Sequence, residues 1–100
     1  MNEHTFKLIR EWATDKGIYD KGDIKTQTLK VYEEAGELAK AVLNNDVGEI
    51  EDAIGDIVVV LTSVAHMSGL SIEQCIDTAY NVIAKRTGKM VDGQFVKDAK

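Results

Sequence analysis

Residues 31–61 read VYEEAGELAKAVLNNDVGEIEDAIGDIVVVL, and this stretch decides the fold. Val31, Ala35, Leu38 and Val42 recur at helical spacing. After Asn44-Asn45-Asp46 a second set, Ile50, Ile54, Ile57, Leu61 and Val64, does the same. Apolar residues three and four apart share one side of an α-helix. The stretch therefore predicts two amphipathic helices, over about 24–45 and 47–68, joined by a turn short enough to make them antiparallel neighbours. Asp23 is placed to cap the first. Asp46, with Glu49 three residues on, gives the second a capping-box-like start, and Gly69 stops it. From Ile57 to Leu61 the second helix is apolar all round, which predicts a central, buried position.

Outward from this pair, Phe6, Ile9 and Ala13, with Leu8 and Trp12 adjoining, predict a helix over 3–16 that Gly17 ends. Residues 17–22 read as a loop. Ser71-Ile72-Glu73-Gln74 is a capping box, opening a helix over 72–87 whose stripe is Ile72, Ile76, Ala79 and Ile83. In the tail, 88–100, Met90-Val91 and Phe95-Val96 flank Asp92-Gly93, a hairpin signal that is marginal in isolation. The expected architecture is all-α: one domain over 1–100, a four-helix bundle unit with a short C-terminal tail. At 100 residues the chain buries a modest core, so completion by oligomerisation, as a dimer or tetramer, is expected.

Composition narrows the function classes. Proline is absent and aromatics make up 6%, which argues against an all-β fold. A net charge of −5 opposes binding to bare nucleic acid or to an anionic membrane. The single cysteine, Cys75, excludes an intrachain disulfide and is expected as a small core residue. The Ile57–Leu61 run is far too short to span a bilayer. The start, Met1-Asn2-Glu3-His4, lacks the basic and apolar regions of a secretory signal, so a cytoplasmic location is expected.

The acidic residues are not scattered. Glu34 and Glu37 point within about 60° of each other on one helix, and Glu49, Asp52 and Asp56 do the same on the next. Glu34 lies at the edge of the apolar stripe, and Glu33 points furthest from it. Like charges one turn apart destabilise a helix by roughly 0.2–0.5 kcal/mol per pair, so stacking them calls for a reason. Two solvated acidic faces would give the same pattern. Asp56 weighs against that reading, because it directly precedes the apolar run and would be costly to bury unpaired. The reading from residues is a divalent-cation site between the two helices. Glu34, Glu37 and Asp56 form its centre, with Asp52 or Glu33 in support. All-oxygen ligands suit magnesium or manganese, and the lack of His and Cys in both clusters disfavours zinc. A di-iron bundle would need Glu-x-x-His pairs, which neither His4 nor His66 makes.

Glu33-Glu34-Ala35-Gly36-Glu37-Leu38, followed by Ala53-Ile54-Gly55-Asp56-Ile57-Val58-Val59, resembles the motif pair of the MazG-like all-α nucleoside triphosphate pyrophosphohydrolases. Trp12 before Lys16-Gly17-Ile18, Gln27–Lys30 and the Arg86…Asp92-Gly93 tail are similar to the short, phage-type members. The resemblance implies metal-dependent hydrolysis of a (deoxy)nucleoside triphosphate to the monophosphate and pyrophosphate. It implies magnesium (or manganese) on Glu34, Glu37, Asp56 and Asp52, and Glu33 or Glu37 as the group that takes a proton from water. Lys30, Asn81 and Lys85 become candidates for the phosphate side, and Trp12 for stacking on a base, although its spacing from Leu8 favours core packing. His66 is expected to be structural. One position departs from the family pattern: an acid is expected at 53, where this chain has Ala53, so Asp52 is the candidate replacement. The alternative reading is a catalytically impaired nucleotide-binding or regulatory protein of the same fold.

Overall fold

The computed structural model describes residues 3–98; Met1-Asn2 and the end of the expected tail, 99–100, lie outside the described residues. Five helices, α1 (Glu3–Asp15), α2 (Ile18–Lys21), α3 (Ile24–Leu43), α4 (Val47–Met67) and α5 (Ile72–Ile83), are followed by strands β1 (Gly88–Val91) and β2 (Gln94–Lys97). Helix makes up 73% of the described residues, so the chain is all-α in its main body. The helix count differs from the sequence reading by α2, a single turn inside what reads as a loop. Gly17, at φ 78°, turns the chain into it, and Gly22 leaves it where a Cβ would collide with the Ile18 carbonyl oxygen.

The caps are those written in the sequence. Asp23 accepts from the Lys25 amide (3.3 Å), Asp46 from the Glu49 amide (3.1 Å) and Ser71 from the Gln74 amide (3.1 Å). Asn45, at φ 55°, takes the tight turn that folds α4 back along α3. Gly69, at φ 79°, ends α4, and α5 departs at an angle of 101°.

α5 is shorter than expected and stops at Ile83 instead of residue 87. The cause lies downstream. The Asp98 amide donates to the Thr87 carbonyl (2.8 Å), and the Thr87 hydroxyl donates to Asp98 Oδ2 (2.7 Å). These bonds extend the β1–β2 hairpin to Thr87 and take from the helix the residues that would close its last turn. The hairpin pairs Val91 with Gln94 and Gly88 with Lys97 around Asp92-Gly93, as the turn signal predicts.

α3 and α4 form the most extensive helix pair; α1 lies on α4, and α5 packs on both α4 and α1. Phe6, Ala65 and Ile72 form the buried cluster, with Val58 and Cys75 packed against it. Elsewhere the buried residues are Val60 and the small Ala13, Ala41, Ala53, Thr62 and Ser63. The Ile57–Leu61 run is less enclosed than its composition suggests: Ile57, Val58 and Val59 are half-buried. Val60 is buried, and Leu61 is 38% exposed. The radius of gyration is 16.0 Å, against about 13 Å for a compact domain of this length. Among the described residues no single helix is long and apolar enough to cross a membrane.

Candidate metal and nucleotide site

The inward face of α3 is not the stripe that residue counting selects. Ala35 and Val42 are exposed, whereas Ile24, Gln27, Val31, Glu34 and Leu38 are half-buried and Ala41 is buried. These six positions follow one another at three- and four-residue steps, so Glu34 belongs to the face that packs on α4. It sits inside the seam rather than at its edge.

Burial has an electrostatic consequence. Glu34 Oε2 is shielded from solvent and has no hydrogen-bond partner. Its carboxyl is held above the usual glutamate range, first by loss of solvent, then by the negative charges of Glu37 and Asp56, next by a side-chain interaction with Glu37 that favours the protonated form, and more weakly by Glu33. A half-buried carboxylate with a free oxygen, among negative neighbours, is a site short of positive charge. Among the described residues the only ion pair is Arg10–Glu73, so Lys30, which is exposed, does not supply that charge.

The other acids are placed less centrally. Asp56 is half-buried on α4; Glu33, Glu37, Asp52 and Glu49 are exposed. Asp52 is not among the groups that shift Glu34. No three His, Cys, Asp or Glu groups among the described residues stand at a spacing that would hold a metal ion as they are. The donor set still fits a hard cation: Glu34 with an unpartnered oxygen, and Glu37 and Asp56 close enough to raise its proton affinity. Ala53, one turn before Asp56 on α4, is buried. Because Glu34 faces Asp56 across an antiparallel pair, Ala53 lies at the level of Glu37. The position that lacks the expected acid is thus part of the same seam.

Two hollows flank the seam. Toward the turn, Glu37, Lys40, Ala41, Asn44, Asp46 and Glu49 line one of about 440 Å³. On the other side Asp56 forms one wall of an apolar notch of about 380 Å³, completed by Thr5, Leu8, Ile9 and Trp12 of α1 and Val59 of α4. Trp12 is 48% exposed, so it is not the core residue that its spacing from Leu8 suggests. The reason is that α1 turns Phe6 and Ala13 to the core and leaves the Leu8–Trp12 side facing the notch. Sequence reasoning does not bring Thr5, Leu8, Ile9 and Val59 to this notch. The one signal for them is the i, i+4 pair Leu8–Trp12.

Asn81 and Lys85 are exposed, on the last part of α5 and in the turn after it, while α5 packs through Ile72 and Cys75. His66 is exposed and stacks on Tyr19, ring centroids 4.1 Å apart, a packing role that joins the α2 turn to the end of α4.

A relative from Haemophilus phage HP1 (strain HP1c1), an "uncharacterized 18.2 kDa protein in rep-hol intergenic region", is 35% identical over 66 residues, or 66% of this chain. The match spans 40% of that relative's own length. No solved structure matches the chain. The family model described as the MazG nucleotide pyrophosphohydrolase domain matches residues 23–91, which takes in α3, α4, α5 and the first strand. The chain belongs to the MazG nucleotide pyrophosphohydrolase domain family.

Proposed function

We propose that the protein hydrolyses a (deoxy)nucleoside triphosphate to the monophosphate and pyrophosphate in a metal-dependent reaction, acting as one domain within a homo-oligomer. The observation that carries this reading is the Glu34 carboxylate, half-buried between Glu37 and Asp56 with Oε2 unpartnered. Glu34, Glu37 and Asp56 would hold magnesium or manganese, with Asp52 added by rotation of its exposed side chain. The cation, when bound, supplies positive charge that offsets the repulsion between an acidic chain and a polyphosphate, and it acidifies water.

The chain's own residues have separable tasks. Glu37 or Glu33, both exposed beside the seam, accepts the proton of the attacking water. The water oxygen adds to phosphorus, the bond between the α- and β-phosphates breaks, and pyrophosphate leaves with the electron pair. Lys30, one turn before Glu34, meets the phosphate chain as a mobile cation. Asn81 and Lys85, at the end of α5, are further phosphate-side groups. Trp12 offers its face to the base within the apolar notch, next to Asp56.

Pyrophosphate release from each of the eight common nucleoside and deoxynucleoside triphosphates, with and without manganese, tests the reading. Release with at least one of them, only with metal and lost in Asp56→Asn, is expected. Failure with all eight overturns it. A second reading, binding without turnover, is favoured by one observation, the buried Ala53 in the seam. It predicts nucleotide binding in the same screen with no product.

A further inference from the structure

α3 carries a second face that is left uncovered among the described residues. Opposite the Glu34 seam, Leu29 is 65% exposed, Tyr32 74% and Leu43 81%. Gly36 lies at their midpoint. A Cβ at 36 would meet nothing within 4 Å, so the chain's own packing does not require glycine there. Glycine is disfavoured in a helix interior, and the backbone approach it permits is unused within one copy.

About that glycine the face has one matched pair, Leu29 and Leu43. Leu29 and Leu43 lie seven residues to either side, Tyr32 and Lys40 four, and Glu33 and Ala39 three. Steps of three, four and seven are those that bring residues to one contact line when two helices cross. In an antiparallel crossing related by a two-fold axis at Gly36, Leu29 meets Leu43 of the other copy. Glu33, on one flank, meets Lys40 on the same flank of the other copy, and each such pair occurs twice. A parallel crossing would place Glu33 against the opposite, uncharged flank, so the charges select the antiparallel arrangement.

We propose that α3 is the self-association element of this protein, and that two copies cross antiparallel at Gly36 with Leu29–Leu43 contacts and reciprocal Glu33–Lys40 ion pairs. This rests on the oligomeric part of the proposed function and not on the hydrolysis. The exposure of Leu29, Tyr32 and Leu43 is then a property of half an assembly. The crossing also sets each metal seam one helix width from the shared interface, because Glu33 borders both.

Sedimentation equilibrium without metal or nucleotide tests this separately from any activity. The wild-type chain at micromolar concentration should have at least twice the monomer mass. Leu43→Lys and Lys40→Glu should each raise the dissociation constant at least tenfold while the circular dichroism stays helical. The double variant Glu33→Lys/Lys40→Glu should recover most of the loss seen for Lys40→Glu. Leu29→Cys/Leu43→Cys in a Cys75→Ser background, which leaves the Gly36 crossing point intact, should form a crosslinked dimer on mild oxidation. A monomeric wild type at 100 µM overturns the proposal. So do association that is indifferent to Leu43→Lys, failure of the double charge exchange to recover the loss seen for Lys40→Glu, and absence of a crosslink in the Leu29→Cys/Leu43→Cys variant.

Discussion

Arg10 on α1 and Glu73 on α5 are joined by two parallel hydrogen bonds, Nη1 to Oε1 and Nη2 to Oε2, each 2.7 Å. The pair ties the first helix to the last, across 63 residues of sequence, just outside the Phe6–Ala65–Ile72 cluster. Both side chains are about three-quarters shielded, at 23% and 27% exposure. A planar fork of this kind is geometrically specific in a way that a lysine contact is not.

The pair makes stability pH-dependent in a stated direction. The Glu73 carboxyl is held below the usual glutamate range, chiefly by its hydrogen bond to Arg10. A carboxyl with a lowered folded-state value contributes stability above its ordinary value, and that stability is lost as pH falls through the folded one. Glu73→Gln should therefore lower Tm most at neutral pH, with the gap to wild type closing on acidification. Arg10→Lys should keep the charge and still lower Tm. Thermal unfolding from pH 3 to 7 checks both; a gap that is constant with pH would remove the ionic account.

Glu34 titrates in the opposite sense. Its carboxyl is raised, first by burial and then by Glu37 and Asp56, so its contribution is fully present below the ordinary glutamate value and is lost as pH rises through the elevated one. In metal-free protein at pH 7, Glu34→Gln should raise Tm relative to wild type, and the two should converge on acidification. Magnesium should raise the Tm of wild type and leave Glu34→Gln nearly unmoved, since ligand that binds the native state alone stabilises it. A metal-free Glu34→Gln protein less stable than wild type at pH 7 would contradict the repulsive seam.

Local signals carried most of the fold. Asp46 with Glu49 and Ser71 with Gln74 cap their helices from within four residues, so the sequence alone reveals them. What it concealed depends on partners distant in the chain. Residue counting placed Ala35 and Val42 on the inner face of α3 because they are apolar. The true face contains Gln27 and Glu34, which only α4, with Asp56 on it, can identify. The end of α5 is decided by Asp98, and the exposure of Trp12 by how α1 meets α4. The acids of the site were therefore legible as residues, and the depth of Glu34 was not.

Ala53 gives a test of that depth. It is 4% exposed at the level of Glu37, so Ala53→Glu inserts both volume and charge into the seam. Overpacking alone costs about 1–3 kcal/mol, and a fourth carboxylate beside Glu34, Glu37 and Asp56 adds repulsion. Urea unfolding should show at least this loss without metal and its recovery with magnesium. If turnover also rises, the seam lacked a ligand; if turnover is unchanged, Asp52 serves that role. A variant as stable as wild type without metal would place Ala53 outside the charged seam.

Trp12 separates base recognition from metal binding. It lines the same notch as Asp56, from a different helix. Stacking of a base on an aromatic ring contributes roughly 1–3 kcal/mol, so Trp12→Ala should raise KM by about 5–150-fold. The metal-induced rise in Tm should persist, because Glu34, Glu37 and Asp56 are untouched. Trp12→Phe should restore part of the loss, since a smaller ring still presents a flat face. Asp56→Asn should do the reverse, removing the metal-induced Tm shift and turnover together. If Trp12→Ala lowers stability and leaves KM as it was, the notch is a packing defect of α1 on α4, and the base is recognised elsewhere.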